Sequence, residues 1–288
     1  MANTLSTKTL RDKYRQAQIE QALRKAVVAE KVCLVDSSDL KTISSPYITA
    51  VAVTVQAVTG TYSPAAVTTT DDTLTVTDEF IAATHIFHFE EATSNFDLFY
   101  TANTAMVNAL TEAVDKWVLN ELCENGTGAY TTPAGGFTTA SNVITILSNI
   151  IAKTAGYADA LNGLYVVVEN TDLTGIISTQ TASGFNFADA ALNNGLIGNM
   201  MGVDIFVVRS GTFVDAATTS ASGSKTWTNA GHRVGGVKKV ATYARPRWMT
   251  FEEKGRTGYT GMEIAGICYA GFKQWTPRAD LTIDITIA

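Results

Sequence analysis

Two histidines and two glutamates lie close together in the sequence and have the residue types of a metal site. His85 and His88 are followed by glutamates at positions 90 and 91, and two imidazoles with a carboxylate can bind zinc. The surrounding residues predict a strand, in which His85 and His88 point to opposite faces. The sequence therefore favours a solvated hairpin base over a metal site. A pH-sensitive contact is a further alternative because imidazole titrates near neutrality.

The other residue types used in catalysis form no recognisable constellation. His232 is the third histidine and lies in a glycine-rich stretch, and no Gly-x-Ser-x-Gly motif is present. The cysteines Cys33, Cys123 and Cys268 lack the spacing of a metal site or a nucleophile signature. Gly223-Ser-Lys-Thr226 resembles the end of a phosphate-binding loop, but its first glycine is missing and its lysine is displaced. We therefore predict no catalytic, cofactor-binding or metal residues and no cofactor.

Charged residues are few and unevenly distributed along the chain. They make up 17% of the 288 residues, against about a quarter in typical soluble domains. Residues 1–31 carry seven basic and three acidic groups, a net charge of +4, which leaves −10 for the rest of a chain whose total is −6. A chain with so few charges either folds very compactly or hides surface against partners, and the second alternative indicates an oligomer. The basic N-terminal segment suits an acidic partner, such as a neighbouring subunit.

The sequence predicts neither a membrane span nor a secretion signal. No stretch reaches about 18 uninterrupted apolar residues, and the N-terminus has no apolar core of the kind that a signal peptide needs. The odd number of dispersed cysteines indicates a reducing compartment.

The N-terminal third of the chain predicts a helical arm and a long β-hairpin. Apolar residues recur at helical spacing over residues 7–30, in a stripe so thin that it suits an arm lying on another surface. Alternation in Val51–Val55 and in Leu74–Phe80 predicts two strands, with the hairpin tip near residues 60–72. An isolated hairpin of this length is marginally stable, so we expect it to lie on another surface.

A long helix and an α/β segment follow the hairpin. Residues 94–124 predict one helix of about 45 Å, capped by Ser94 with Asp97 and stopped by Asn125-Gly126. Residues 136–210 predict a helix near 141–154, strands at 164–168 and 203–208, and a short helix capped by Asn170.

The last part of the chain predicts a loop and a terminal strand. Residues 210–231 are rich in Ser, Thr, Ala and Gly, a composition typical of a mobile loop. Apolar residues at 281, 283, 285 and 287 alternate with polar ones, which predicts a strand in a sheet with one wet face.

This order of elements resembles the major capsid proteins of tailed double-stranded DNA bacteriophages, whose fold is shared with encapsulin shells. The stretch Leu196–Val208 is similar to their glycine-rich turn leading into an axial-domain strand, and Gly261–Lys273 is similar to their closing strands. The resemblance implies an α+β phage major-capsid fold with an α/β A-domain. The implied segments are an N-arm at 1–41, a β-hairpin E-loop at 42–91, a P-domain with a long spine helix at 92–135, the A-domain at 136–236 and closing P-domain strands at 237–288.

The resemblance also implies a function and partners. The chain is expected to self-assemble into hexamers and pentamers of an icosahedral shell around phage DNA, within the virion, after assembly in the host cytoplasm. A separate scaffolding protein, a portal and a cement protein are expected partners. DNA is expected to be bound only non-specifically because the body is acidic. An encapsulin-like compartment shell and an α/β enzyme with His232 as its base are the alternatives.

The nature of the contacts between subunits is also predicted. Residues 42–115 contain no lysine, which argues against the Lys–Asn cross-link that some family members form on the hairpin. Arg245-Pro-Arg247-Trp248 could bind nucleic acid through charge and stacking, but ion pairs between subunits are favoured because two glutamates follow it. The candidate inter-subunit contacts are Arg11, Arg15, Tyr62, Asp71, Asp72, Arg245, Arg247, Glu252 and Glu253.

Overall fold

The computed structural model describes most of the chain and shows a mixed α+β fold. The described residues are 27–48, 53, 55, 58, 60, 67–88, 98–183, 196–215, 218–220, 223–225, 227–246, 250–255 and 260–288. The predicted arm helix up to residue 26, the Ser94 cap, Tyr62 and Arg247 lie outside these residues. The domain boundaries proposed from the sequence stay a prediction.

One long helix forms the centre of the body, as predicted. Helix α2 (Leu98–Asn125) follows the short helix α1 (Ala29–Val32) in the chain and ends at the predicted residue. Every residue from Val114 to Cys123 is buried except Lys116. The sequence predicted one apolar face, but this half of the helix is buried on nearly all sides because sheets pack on both sides of it.

The first sheet has five strands and packs on one side of α2. Strand β14 is its longest and pairs antiparallel with β4, β12 and β13, while β1 pairs parallel with β12 at one edge. These strands are β1 (Leu34–Asp36), β4 (Asp78–Ile86), β12 (Ala241–Ala244), β13 (Thr250–Gly255) and β14 (Met262–Gln274). The core of the sheet contains Phe80, whose ring lies edge-on to that of Trp117 at 5.8 Å.

The second sheet has six strands and packs on the other side of α2. In spatial order they are β5 (Gly128–Thr131), β15 (Thr282–Thr286), β11 (His232–Val237), β6 (Leu164–Glu169), β8 (Val203–Val208) and β7 (Leu196–Met200). Helices α3 (Ala140–Thr154) and α4 (Leu173–Ser183) follow β5 and β6 in the chain. Alternate residues of β6 pack with α2 and with α3, so the strand is a nearly continuous apolar run. The helix and strands predicted in this part of the chain are confirmed.

The hairpin is present, but its strands differ from the prediction. Strand β2 (Thr42–Ile48) pairs antiparallel with β3 (Thr69–Thr75), so the first strand begins before the predicted alternation at Val51. The predicted second strand, Leu74–Phe80, is divided at Val76 and Thr77. Phe80 belongs to β4 because the chain leaves the hairpin there and enters the body sheet.

Three other local predictions were wrong in detail. Glu169, and not Asn170, caps the 3₁₀ helix Asn170–Asp172 that leads into α4, because its carboxylate accepts from the helix while Asp172 accepts from the Glu169 N–H. The predicted loop at 210–231 contains the paired strands β9 (Thr218–Ser220) and β10 (Gly223–Lys225). A strand of three residues is too short to show a periodic pattern in the sequence. The final strand starts only at Thr282, after a 3₁₀ helix over Thr276–Leu281, and Thr282 itself is buried.

Candidate functional site

The hairpin exposes apolar side chains that the described part of the chain does not cover. Val53, Val55 and Val58, between its two strands in the sequence, each have more than 90% of their surface accessible. Ile48, at the end of β2, is 60% exposed. Clustered apolar exposure of this kind marks an interaction surface. The hairpin is therefore the candidate surface for contact with another molecule.

The root of the hairpin is joined to the body by Asp72. One carboxylate oxygen, Oδ2, accepts hydrogen bonds from both the N–H and the hydroxyl of Thr276 at 2.8 Å. The other oxygen, Oδ1, lies 2.7 Å from Nζ of Lys273 on β14. Burial alone would raise the pKa of Asp72, but the bonds from Lys273 and Thr276 outweigh it and hold this pKa below its usual value.

Two neighbouring aspartates that the sequence assigns to the same role therefore differ in the structure. Asp72 is buried and bonded within its own chain. Asp71 is exposed, since neighbouring residues of a strand point to opposite faces. Only Asp71 of this pair has its side chain on the surface.

The other predicted contact residues are placed in two regions of the first sheet. Arg245 directly follows β12, and its guanidinium forms an ion pair with Glu30 of α1. Glu252 and Glu253 lie on β13, at the edge of the sheet, where they pair in register with Ala265 and Ile264 of β14. The structure therefore brings Arg245 to a residue that the sequence did not connect with it, and a contact with either glutamate stays a prediction.

A buried ionic cluster holds the loop that follows β8. The Arg233 guanidinium lies 2.5 Å from Asp172 Oδ2 and 3.2 Å from Glu169 Oε2. Glu169 Oε1 accepts the N–H groups of Gly211 and Thr212 at 3.0 and 3.1 Å. We call these three charged residues the Arg233 cluster. The only signal for these residues in the sequence is the capping spacing of Glu169 and Asp172, and nothing in the sequence connects them with Arg233.

Polar residues of α2 hold the same loop from the other side. The Asn120 amide donates to the Thr212 carbonyl at 2.8 Å and accepts from the Val214 N–H at 3.3 Å. The indole N–H of buried Trp227 donates to Glu121 at 3.1 Å. Both ends of the loop are therefore fixed to the central helix. The sequence missed these residues because polar residues in a helix usually indicate a solvated face.

The cysteines and His232 are placed in the body of the fold. Burial raises the pKa of all three cysteine thiols, that of Cys268 to about 12, which keeps them in the unreactive protonated form. His232 Nδ1 lies 2.8 Å from an Asp284 carboxylate oxygen on the neighbouring strand. This pair joins β11 to β15.

The sequence predicted both histidines near the hairpin on one strand, whereas the structure places only His85 on a strand. His85 lies on β4, with its ring edge-on to Phe87 at 4.4 Å. His88 lies beyond the end of β4, so the expected arrangement on opposite faces of one strand was wrong. Within the described ranges, no group of three or more His, Cys, Asp or Glu side chains could hold a metal ion. No described helix is both long and apolar enough to cross a membrane.

Sequence comparison and structure comparison give different results. No protein-family model and no curated protein matches the sequence. Among solved structures, a capsid chain of the cyanophage P-SCSP1u aligns with a TM-score of 0.72 at 16% identity, over 99% of this chain and 95% of that chain. The chain has the phage major-capsid fold.

Other capsid structures align with this fold just as well. A chain of the mature capsid of bacteriophage PhiM1 gives a TM-score of 0.72 at 13% identity, over 95% of this chain and 90% of that chain. A capsid chain of the empty GTA particle gives 0.72 at 14% identity, over 96% and 95% of the two chains. The predicted fold class is thus confirmed over almost the whole chain.

Proposed function

We propose that this chain is the major capsid protein of a tailed double-stranded DNA bacteriophage and self-assembles into the hexamers and pentamers of an icosahedral shell enclosing the genome. The single observation that carries the proposal is the alignment with capsid chains over nearly the full length of both partners. The role is structural, with no catalysis, in the virion after assembly in the host cytoplasm.

The exposed hairpin supports this proposal on physical grounds. Its three valines and Ile48 offer apolar surface without a charge that would have to be desolvated. Permanent interfaces between subunits bury roughly 2,000–5,000 Å² in total, which an arm lying over a neighbour supplies more easily than a compact body alone. Asp71, Arg245 and the other predicted contact residues, with the exception of Asp72, are proposed to line such interfaces.

Further partners follow from the same proposal. We expect a separate scaffolding protein, a portal, a cement protein and packaged DNA held without sequence preference. The net charge of −10 outside the first 31 residues, the difference between a total of −6 and a segment of +4, favours non-specific over specific contact with DNA.

The proposal is tested by the assembly state of the purified full chain, with and without a co-expressed scaffolding protein. We expect particles or capsomers of five and six copies of the 30.7 kDa chain in light scattering and negative-stain images. A folded monomer at high concentration under both conditions would contradict the proposal. Nuclease-protected DNA in the particles supports a capsid, whereas enclosed protein supports a compartment shell.

The hairpin is tested by a matched pair of triple variants at Val53, Val55 and Val58. Replacement of all three by Ser should abolish capsomers while leaving the circular dichroism and melting temperature of the chain unchanged, because these side chains are exposed. Replacement of all three by Ile keeps the apolar surface and should retain assembly. Equal assembly of both variants would show that these hairpin side chains are not part of the interface.

A further inference from the structure

We propose that Asp72 is a positioning residue that fixes the angle at which the hairpin leaves the body and so places its exposed valines, Val53, Val55 and Val58, for contact with a neighbouring copy. The first half of this inference concerns the folded chain alone, and only the second half rests on the proposed capsid function. It changes the role of Asp72 from the direct contact that the sequence predicted to an indirect one within its own chain.

The hairpin root contacts the body through β3. Asp72 bonds to two separate body elements, β14 through Lys273 and the start of the 3₁₀ helix through Thr276. Two residues further along β3, on the same face, Leu74 is buried with only 1% of its surface accessible. A carboxylate and an apolar side chain on one face of β3 are therefore inserted into the body side by side.

Close backbone approach at Gly271 completes this attachment. A Cβ atom at Gly271 of β14 would lie 3.0 Å from the Thr75 carbonyl oxygen and 3.0 Å from Val76 Cα, where the hairpin ends. The root therefore lies against β14 at a distance that only glycine allows without displacement. Its position depends on this contact as well as on Asp72.

The opposite strand of the hairpin, β2, faces open space at the same level. A cavity of about 490 Å³ lies between β2 and the body, lined by Leu34, Ile43, Tyr47, Trp275 and Pro277, among others. Attachment on one side and a cavity on the other leave room for the hairpin to rotate towards the cavity. The bonds of Asp72 to Lys273 and Thr276 oppose that rotation together with the contacts of Leu74 and Gly271. Thr276 lies between two residues that line the cavity, so these bonds act at its edge.

The backbone pairing of the hairpin transmits any change at the root. Ser45 pairs with Asp72, and the ladder continues without a break to Ile48 and Thr69. A paired two-stranded ribbon moves as a unit, so a small rotation at Asp72 becomes a larger displacement along the strands. The surface that we propose as an interface is therefore set by a residue that does not belong to it.

The decisive experiment compares Asp72→Asn with the matched control Asp71→Asn, which removes the same charge from the exposed face. Spin labels at exposed positions Thr70 on the hairpin and Leu161 on the body report their distance distribution in the unassembled chain. We expect a shifted or broadened distribution for Asp72→Asn and an unchanged one for Asp71→Asn. Gly271→Ala, which moves the root without altering a charge, should also shift the distribution.

Assembly of the same variants tests the second half. Loss of a charge-assisted bond should lower capsomer yield about tenfold or more for Asp72→Asn, with its melting temperature showing that the body remains folded. An unchanged distance distribution in Asp72→Asn would overturn the positioning role. A changed distribution with full assembly would overturn the connection to the neighbour. Failure of the wild-type chain to assemble would instead overturn the proposed function, and the distance measurement would still decide the positioning role.

Discussion

The hairpin root and the base of the loop after β8 both attach a protruding segment to the body, but the loop is attached more firmly. In both, a segment that leaves the body is held by a buried carboxylate. Asp72 accepts the N–H and the hydroxyl of Thr276 at the root, and Glu169 accepts the N–H groups of Gly211 and Thr212 at the loop. At the root, the cation is Lys273, whose side chain is 32% exposed. At the loop it is Arg233, at 6%, and Asn120 of the central helix adds further bonds.

The difference lies in what must break for each segment to move. Displacing the loop after β8 would remove the N–H groups of Gly211 and Thr212 from the buried Glu169 carboxylate, and it would break the bonds of buried Asn120 to the loop, a cost of several kcal/mol. Displacing the hairpin would return Asp72 and Lys273 towards solvent, where both are readily hydrated. The loop is therefore held as part of the body, whereas the hairpin is a separately adjustable arm, and the largest expected effects of mutation lie in the body.

The largest effect is expected on removal of the cation from the Arg233 cluster. Arg233→Met should lower the free energy of unfolding by about 3–5 kcal/mol, because two buried carboxylates lose their partner. The matched control is Arg278→Met, since Arg278 pairs with Asp159 at the surface and should cost less than about 1 kcal/mol. Denaturant unfolding measures both. Equal losses would mean that the cluster contributes no more than a surface pair.

An intermediate effect is expected at Asp115, where the chain enters the body. Its carboxylate accepts the N–H groups of Val28 and Ala29 at 2.8 and 2.7 Å. Burial raises its pKa to about 6, from an ordinary 3.8, despite those two bonds and with help from the charges of Glu30 and Glu112. Because the folded-state pKa is the higher one, the contribution to stability is complete below pH 3.8 and is lost as the pH rises through 6.

Asp115→Asn isolates this contribution because it retains an oxygen acceptor without the charge. The difference in unfolding free energy between variant and wild type should change by up to about 3 kcal/mol between pH 4 and pH 7, in favour of the variant at pH 7. Urea unfolding at a series of pH values measures it. A difference that does not vary with pH would show that the buried carboxylate titrates normally.

The smallest effect is expected at the hairpin root in acid. The pKa of Asp72 is lowered, so its contribution is present above the ordinary value of 3.8 and is lost as the pH falls below it. We expect a loss of about 1–2 kcal/mol, confined to the root. Hydrogen-exchange protection of the Thr276 amide should fall in acid, in wild type and in Asp71→Asn alike. If the Thr212 amide lost protection in parallel, the two regions would not be independent.

Much of the architecture could be predicted from local patterns. Four elements have a continuous apolar pattern in the sequence that matches the element in the structure: the long helix, the helix near 141–154, and the strands at 164–168 and 203–208. The hairpin strands lie at other residues than predicted. Alternation shows which residues are able to form a strand, but it does not show which of them pair with another strand. The two short strands of the loop after β8 had no period long enough to detect.

The candidate site was predictable in kind and only partly in detail. An exposed, charge-poor hairpin followed from composition, and the apolar exposure of Val53, Val55 and Val58 agrees with it. The separate roles of Asp71 and Asp72 could not be predicted from the sequence, because the two aspartates are equivalent neighbours in it. Strand register decides which one faces the body.

The sequence by itself determined the order and type of the main elements, since these depend on periods of a few residues. Only the tertiary structure decided which polar residues are buried and with what. Asp72 is hydrogen-bonded to Thr276, which lies 204 residues away in the sequence, and Asn120 is hydrogen-bonded to Thr212, which lies 92 residues away. The physical reason is that a carboxylate or an amide is stable in the interior only when a partner is present, and packing of the two sheets around one helix is what brings those partners together.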